Sequence, residues 1–213
     1  YAMSSFDGLG VFSPDEAEPA KASRPFDSSR NGLIPSGGGA TLVLESYESA
    51  VKRGAAILAE VIGYGFSSNG GHISTPNVEG PAKAMEKALQ QAGIAASEVD
   101  YINAHATSTP VGDENEAKAI FEIFGESNPY VSSTKSMTGH LLGGAGAIES
   151  VFIVKALQER LAPPTINIEN LDESVTVDVV RDVPRDLPKG SIACLNDSFG
   201  FGGHNVVLVF KSI

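Results

Sequence analysis

The sequence predicts a layered α/β domain built around a mixed sheet. Three observations lead there. From Ala56 onward, short β-branched runs alternate with segments whose apolar residues recur at helical spacing. The chain then closes on a run of strands instead of further helices. At residues 131–149, a strand gives way through Gly139, Gly143, Gly144 and Gly146 to a long apolar helix. Open α/β sheets place ligands beyond the carboxyl ends of their strands, at such junctions.

In chain order, residues 1–14 carry no helix-capping signal. Residues 15–36 form a loop-rich passage with Pro19, Pro25 and Pro35, followed by three glycines. Thr41, Leu42, Val43 and Leu44 read as a short buried strand, and 46–53 as a short amphipathic helix stopped by Gly54. A strand is expected over 57–64 and a glycine- and serine-rich loop over 65–77. Pro81 suits a first helical position, and Ala82, Met85, Ala88, Leu89 and Ala92 keep helical spacing until Gly93. The strand over 99–104 delivers His105 at its carboxyl end. Asp113 can cap the next helix, with Glu116 three residues on and Ala117, Ile120, Phe121 and Phe124 as its buried face. A strand at 131–134 leads to a helix at 146–160, apolar around most of its surface and so expected to be deeply buried; Pro163 and Pro164 end it. Strands at 175–180, 191–196 and 205–210 close the chain.

Composition narrows the function classes. At 213 residues and 42% hydrophobic, the chain can bury one sizeable core or a core of two related halves. No apolar run approaches the roughly 20 residues of a membrane helix, and no basic leader precedes an apolar stretch. Neither a membrane span nor a signal peptide is expected. The formal charge of −11, with 15 Lys+Arg against 26 Asp+Glu and no cationic stripe, argues against nucleic acid. The one cysteine, Cys194, lies in an apolar strand without an adjacent base. It reads as an inert buried thiol of a protein from a reducing compartment, the cytoplasm, and not as a nucleophile.

Chemistry is expected at two of the four histidines. His105 and His140 each follow a strand, and neighbouring strand ends could bring them within a few ångströms. Two neutral imidazoles aimed at one point would donate hydrogen bonds to a developing oxyanion. Lys135 is a candidate for orienting His140 or tuning its protonation, with Glu149 its counter-charge. Taken singly, each histidine fits a structural role as well as a catalytic one. No cysteine or carboxylate shows metal-ligand spacing around them, so no metal is expected. His72 and His204 read as loop or strand-edge residues. Residues 196–205, Asn-Asp-Ser-Phe-Gly-Phe-Gly-Gly-His-Asn, form a tight turn whose glycines allow a backbone N–H of Phe201 to face a pocket; an ordinary turn with two core phenylalanines fits equally. Lys21 and Arg24 are conceivable contacts to an acidic partner, and a solvated loop fits them as well.

Taken together, residues 103–113, 135–149 and 198–205 resemble the β-ketoacyl-acyl-carrier-protein synthases, condensing enzymes of the thiolase-like superfamily, in motif order and spacing. Two histidines in these contexts resemble the elongating members. The resemblance implies the thiolase-like layered fold, with residues 1–53 the end of an N-terminal half and 54–213 the C-terminal half. It implies decarboxylative Claisen condensation of malonyl-thioester with an acyl group held on a cysteine that this chain lacks. His105 and His140 would bind the thioester oxygen, with Lys135 and Glu149 beside them, and the Phe201 amide would serve the oxyanion hole. Thr107 and Thr109 would bind the phosphopantetheine arm, Phe199 and Phe201 would gate the acyl pocket together with the loop around Thr75, and Gly202 would be a further substrate-binding residue. Cofactors would be none, since phosphopantetheine arrives on the acyl carrier protein. Partners would be that carrier, a cysteine-bearing half and a second copy in a homodimer. A non-catalytic subunit of the chain-length-factor type and a polyketide ketosynthase are the competing readings. Ala106 and His204 depart from the glycine and threonine that many members carry.

Overall fold

Six strands form one mixed sheet in the computed structural model, which describes residues 2–213. Across the sheet the order is β1 (Glu60–Ser68), β8 (His204–Lys211), β7 (Ala193–Gly200), β2 (Val99–Asn103), β3 (Tyr130–Ser132) and β5 (Asp178–Val179). The last four run parallel, whereas β8 opposes β7 and β1 opposes β8. A two-stranded antiparallel pair, β4 (Leu161–Ala162) and β6 (Arg185–Asp186), stands apart.

Strand alternation divides the core into two. Ile102, Leu195, Val207 and Val209 join Met85, Leu89 and Ile120 in one buried cluster, under α3 (Glu79–Ala92) and α4 (Pro110–Phe124). Their neighbours Tyr101, Cys194 and Phe210 face the other way, onto Ile153 and Leu157 of α6 (Ala145–Glu159). Two glycines of β1 let α3 lie close: a Cβ at Gly65 would sit 1.9 Å from the Ala84 carbonyl oxygen, and one at Gly63 2.7 Å from that of Ala88. The helix ends at Gly93, whose φ of +68° is the left-handed cap that glycine favours. Short helices complete the set: α1 (Ala2–Gly8), α2 (Tyr47–Lys52) with Ser46 as its N-cap, and α5 (Lys135–Thr138).

Several expectations are corrected. Residues 41–44 are not a buried strand: Val43 and Leu44 are 88% and 77% exposed, because no strand of the sheet lies beside them to complete a ladder. β1 begins at Glu60 and runs to Ser68, into the stretch expected to be loop. α4 starts at Pro110 with Thr109 as its N-cap, so Asp113 does not cap it. Its carboxylate turns inward and accepts N–H bonds from Phe26 and Thr109. Phe121 lies at the edge of the buried stripe and is 54% exposed. α6 is apolar around its girth but buries one face only; Ile148, Val151 and Phe152 are half-buried. Of the strand expected over 175–180, only Asp178 and Val179 pair. Between β3 and Gly139, Lys135 opens the helical turn α5.

The loop-rich passage is a strap across the carboxyl ends of the strands. Arg24 and Gly32 bond to Ser108 through their N–H groups. Arg30 donates to the Thr109 and Pro110 carbonyls and pairs with Asp172 at 2.6 Å. Farther along, Ile34 accepts the His140 N–H at 2.7 Å and Ser36 donates to the His140 carbonyl. Gly139 has φ +69°, and a Cβ there would meet the Ile34 carbonyl oxygen at 2.9 Å, so this crossing also favours glycine.

Candidate active site

His105 and His140 meet. Their ring centroids lie 5.3 Å apart, edge to face, and the Phe199 ring lies 5.9 Å from that of His105. β2 delivers His105 at its carboxyl end. β3, its parallel neighbour, feeds the α5 turn that ends at Gly139 and presents His140. The Nδ1 atom of His140 accepts the Leu142 N–H at 3.3 Å, which assigns its proton to Nε2. Nε2–H is then a donor available to a ligand. Burial and the nearby charge of Lys135 hold His140 down at about 4, and the same causes push His105 well below the usual imidazole range. Both rings are therefore neutral at physiological pH.

Lys135 and Glu149 are each 1% exposed and form a buried ion pair. Burial raises the Glu149 carboxyl, and Lys135 opposes that shift. The backbone carbonyl of Lys135 accepts the Ser23 hydroxyl at 2.7 Å, so the strap reaches this residue too.

Thr107 and Thr109 bring their hydroxyls within 3.1 Å of each other beside Gly112, on the loop carrying His105. Phe201 stands farther out: it is 40% exposed and its ring stacks on Phe6 at 5.5 Å. Gly202 and Gly203, at φ +82° and +76°, form the turn beneath it, and the Gly202 N–H donates to the Ile73 carbonyl at 2.7 Å. Thr75 does not join the imidazoles. It lies on the facing loop, where its hydroxyl and N–H contact His72 Nδ1. His204, the first residue of β8, is exposed against Phe66. Lys21 pairs with Glu18 and Glu169, and Arg24 with Asp15, so neither cation is free. Cys194 is wholly buried, and burial raises its thiol far above the ordinary range.

Glu116 was missed as a site residue. It is buried, and its two oxygens accept the His105 and Ala106 N–H groups at 2.7 and 2.6 Å. The signal was present: Asp113 and Glu116 lie on the helix stripe of Ala117, Ile120 and Phe124, where a carboxylate needs a partner. Asp197, fully buried in β7, and Arg30 of the strap were missed as well.

A family model, "Beta-ketoacyl synthase, C-terminal domain", matches residues 58–169. The chain belongs to the β-ketoacyl synthase family. A 3-oxoacyl-[acyl-carrier-protein] synthase 2 of Vibrio cholerae serotype O1 is 45% identical over 214 residues, covering 98% of this chain and 51% of that protein. A solved β-ketoacyl synthase from Burkholderia phymatum STM815 matches with a TM-score of 0.93 and 37% identity, over 100% of this chain and 52% of that one. A type II polyketide ketosynthase, solved with its acyl-carrier protein and bound to the hexaketide, matches at 0.91 and 36%, over 100% and 53%. The fold is thus the layered arrangement of the ketosynthases, and the chain spans about half the length of the relatives it matches.

Proposed function

We propose that this chain supplies the decarboxylating site of a β-ketoacyl-acyl-carrier-protein synthase of fatty acid synthesis. On this reading residues 1–53 end one thiolase-like half, 54–213 form the other, and a cysteine-bearing half completes the enzyme. The observation that carries it is the pair of neutral imidazoles 5.3 Å apart at adjacent parallel strand ends. Malonyl-thioester enters with its carbonyl oxygen toward both rings. His140 donates through Nε2–H and His105 through its own ring N–H, so charge flowing onto that oxygen as CO₂ leaves is stabilised. The resulting enolate attacks the acyl thioester on the cysteine. That attack forms the new C–C bond, and collapse of the tetrahedral adduct re-forms the carbonyl and expels the cysteine thiolate.

Neutrality is central to this chemistry. Protonation would turn the Nδ1 acceptor of His140 into a donor facing the Leu142 N–H and set a second cation beside Lys135, whereas the neutral ring keeps Nε2–H for the substrate oxygen; the field of Lys135 also favours the enolate. Lys135 and Glu149 thus act through the histidines. The Phe201 amide completes the oxyanion hole with that of the cysteine. Thr107 and Thr109, two adjoining hydroxyls on the loop carrying His105, bind the phosphopantetheine arm of the acyl carrier protein, and no other cofactor is required. Phe199 and Phe201 gate the acyl pocket with the loop around Thr75, and Gly202 lines the substrate path beside them. The protein works in the cytoplasm, as its single buried thiol suits, and as a homodimer. A chain-length-factor role is disfavoured, since a subunit without chemistry has no use for two neutral imidazoles beside a buried Lys–Glu pair.

The test is CO₂ release from malonyl-acyl carrier protein by the completed protein. Removing one oxyanion donor by His140→Ala should lower the rate on the order of 10²–10³-fold. An unchanged rate would eliminate the assignment.

A further inference from the structure

Ser108 is fully buried yet holds φ at +69°, a left-handed conformation uncommon for residues other than glycine. It is the middle residue between Thr107 and Thr109, on the loop that follows His105. The strap fixes it twice. Its hydroxyl accepts the Arg24 N–H at 3.0 Å, and its carbonyl accepts the Gly32 N–H at 2.9 Å. In an extended chain, alternate residues stand about 6.6 Å apart, too far for their hydroxyls to touch. The bend at Ser108 closes that gap, and the Thr107 and Thr109 hydroxyls meet at 3.1 Å.

The Thr109 hydroxyl is also released from a common duty. Thr109 is the N-cap of α4, where a side-chain oxygen ordinarily accepts a helix N–H, and it makes no such bond. Pro110, the first helical residue, has no N–H to offer, and the Thr109 N–H itself goes to the Asp113 carboxyl at 3.3 Å. Gly112 keeps the hydroxyl where it is, because a Cβ there would collide with Thr109 Oγ1. The Gly112 backbone does not ask for glycine, since its φ lies outside the left-handed range, and alanine is the better helix former. Two locally unfavourable choices, a strained serine and a helical glycine, thus converge on one pair of hydroxyls. One O–H joins the pair; the second O–H and the remaining lone pairs have no partner among the described residues. A donor and an acceptor side by side match the two polar groups of a secondary amide.

We propose that Ser108 and Gly112 are positioning residues, which hold the Thr107 and Thr109 hydroxyls together to receive an amide of the phosphopantetheine arm. The inference rests on the condensing-enzyme reading of the site.

The test compares CO₂ release by the completed protein from malonyl-pantetheine and from malonyl ethyl thioester, which lacks the amides of the arm. Wild type should favour malonyl-pantetheine through a lower KM. Gly112→Ala should melt no lower than wild type, yet lose about tenfold of that preference through KM, the worth of one or two neutral hydrogen bonds. Ser108→Ala keeps the strained turn without the Arg24 bond and should lose as much. Ser108→Gly suits the left-handed φ and should keep the preference to within about threefold of wild type. An intact preference in Gly112→Ala, or a loss that falls equally on both thioesters in the alanine variants, overturns the proposal. Should Ser108→Ala fail to fold, Ser108→Gly decides for that residue: a lost preference would mean that the hydroxyl meets the arm directly, and the positioning role would fall. A wild type active on both thioesters without preference overturns the proposal and leaves the decarboxylating site standing. A wild type that releases no CO₂ from either ends the condensing-enzyme reading and this inference with it.

Discussion

Replacing Lys135 with methionine removes the one cation facing Glu149, which is 1% exposed and has an Oε2 without a partner. Breaking a buried pair from one side costs about 3–5 kcal/mol, because the remaining charge is stranded in low dielectric. In a domain of this size each kcal/mol lowers the melting temperature by roughly 2–4 °C, so a fall of roughly 6–20 °C is expected. The penalty should depend on pH with a definite sign. Burial already places the folded Glu149 carboxyl above its ordinary value. A carboxyl with a raised folded pKa is best tolerated while protonated, and its cost grows as pH rises past the unfolded value of about 4.3. Lys135→Met should therefore be least harmful in mild acid and most harmful at neutral pH and above. The double variant Lys135→Met with Glu149→Leu removes both charges and should regain most of the loss. Thermal unfolding of the completed protein, followed by circular dichroism at several pH values, reads all three. Equal melting temperatures for the single and double variants, or a penalty indifferent to pH, would refute the reasoning.

Decarboxylation should stay level from neutral pH down to about 5 and fail towards about 4, where His140 gains its proton; an acid limb at the ordinary imidazole value would contradict the burial argument. The same shift makes the fold acid-sensitive: a histidine with a lowered folded pKa contributes full stability above its unfolded value of about 6.5, and that contribution is lost as pH falls towards about 4. Gly203→Ala should be severe, since a Cβ at φ +76° would lie 1.8 Å from the Asn69 carbonyl oxygen; about 1–3 kcal/mol of strain is expected, plus the lost Asn69–Gly203 hydrogen bond. Gly202→Ala, whose nearest neighbour is the His204 ring at 3.4 Å, should melt closer to wild type, and the reverse order would be inconsistent with the packing. Cys194 should react with thiol reagents only as fast as the protein unfolds, and rapid labelling of the native state would show that β7 opens.

The regular part of the fold was legible because its periodicities are strong. The alternation of Tyr101 with Ile102 and of Cys194 with Leu195 divides two helical layers, and Gly93 and Gly125 end their helices as glycines do. What escaped the sequence depended on partners distant along the chain. Thr41 to Leu44 have strand composition, yet a strand exists only against a neighbour, and none lies beside them. The helix from Ala145 shows an apolar surface wider than this chain covers, so composition alone overstated its burial. At the site, strand ends disclosed both imidazoles and the charge of Lys135 pointed to Glu149. Glu116 and Asp197 stayed hidden because their significance lies in what surrounds them: two amide protons for one, none for the other.

The strap from Ser23 to Ser36 fastens the His105 loop through Arg24, Arg30 and Gly32, and the His140 loop through Ile34 and Ser36. The two rings therefore share a tether that lies well upstream of both in the chain. A backbone nick in the exposed stretch at 41–44 should leave the docked strap bound and the ring spacing intact. Reconstitution from two separately made pieces would follow more readily from a break there than from one inside residues 24–36.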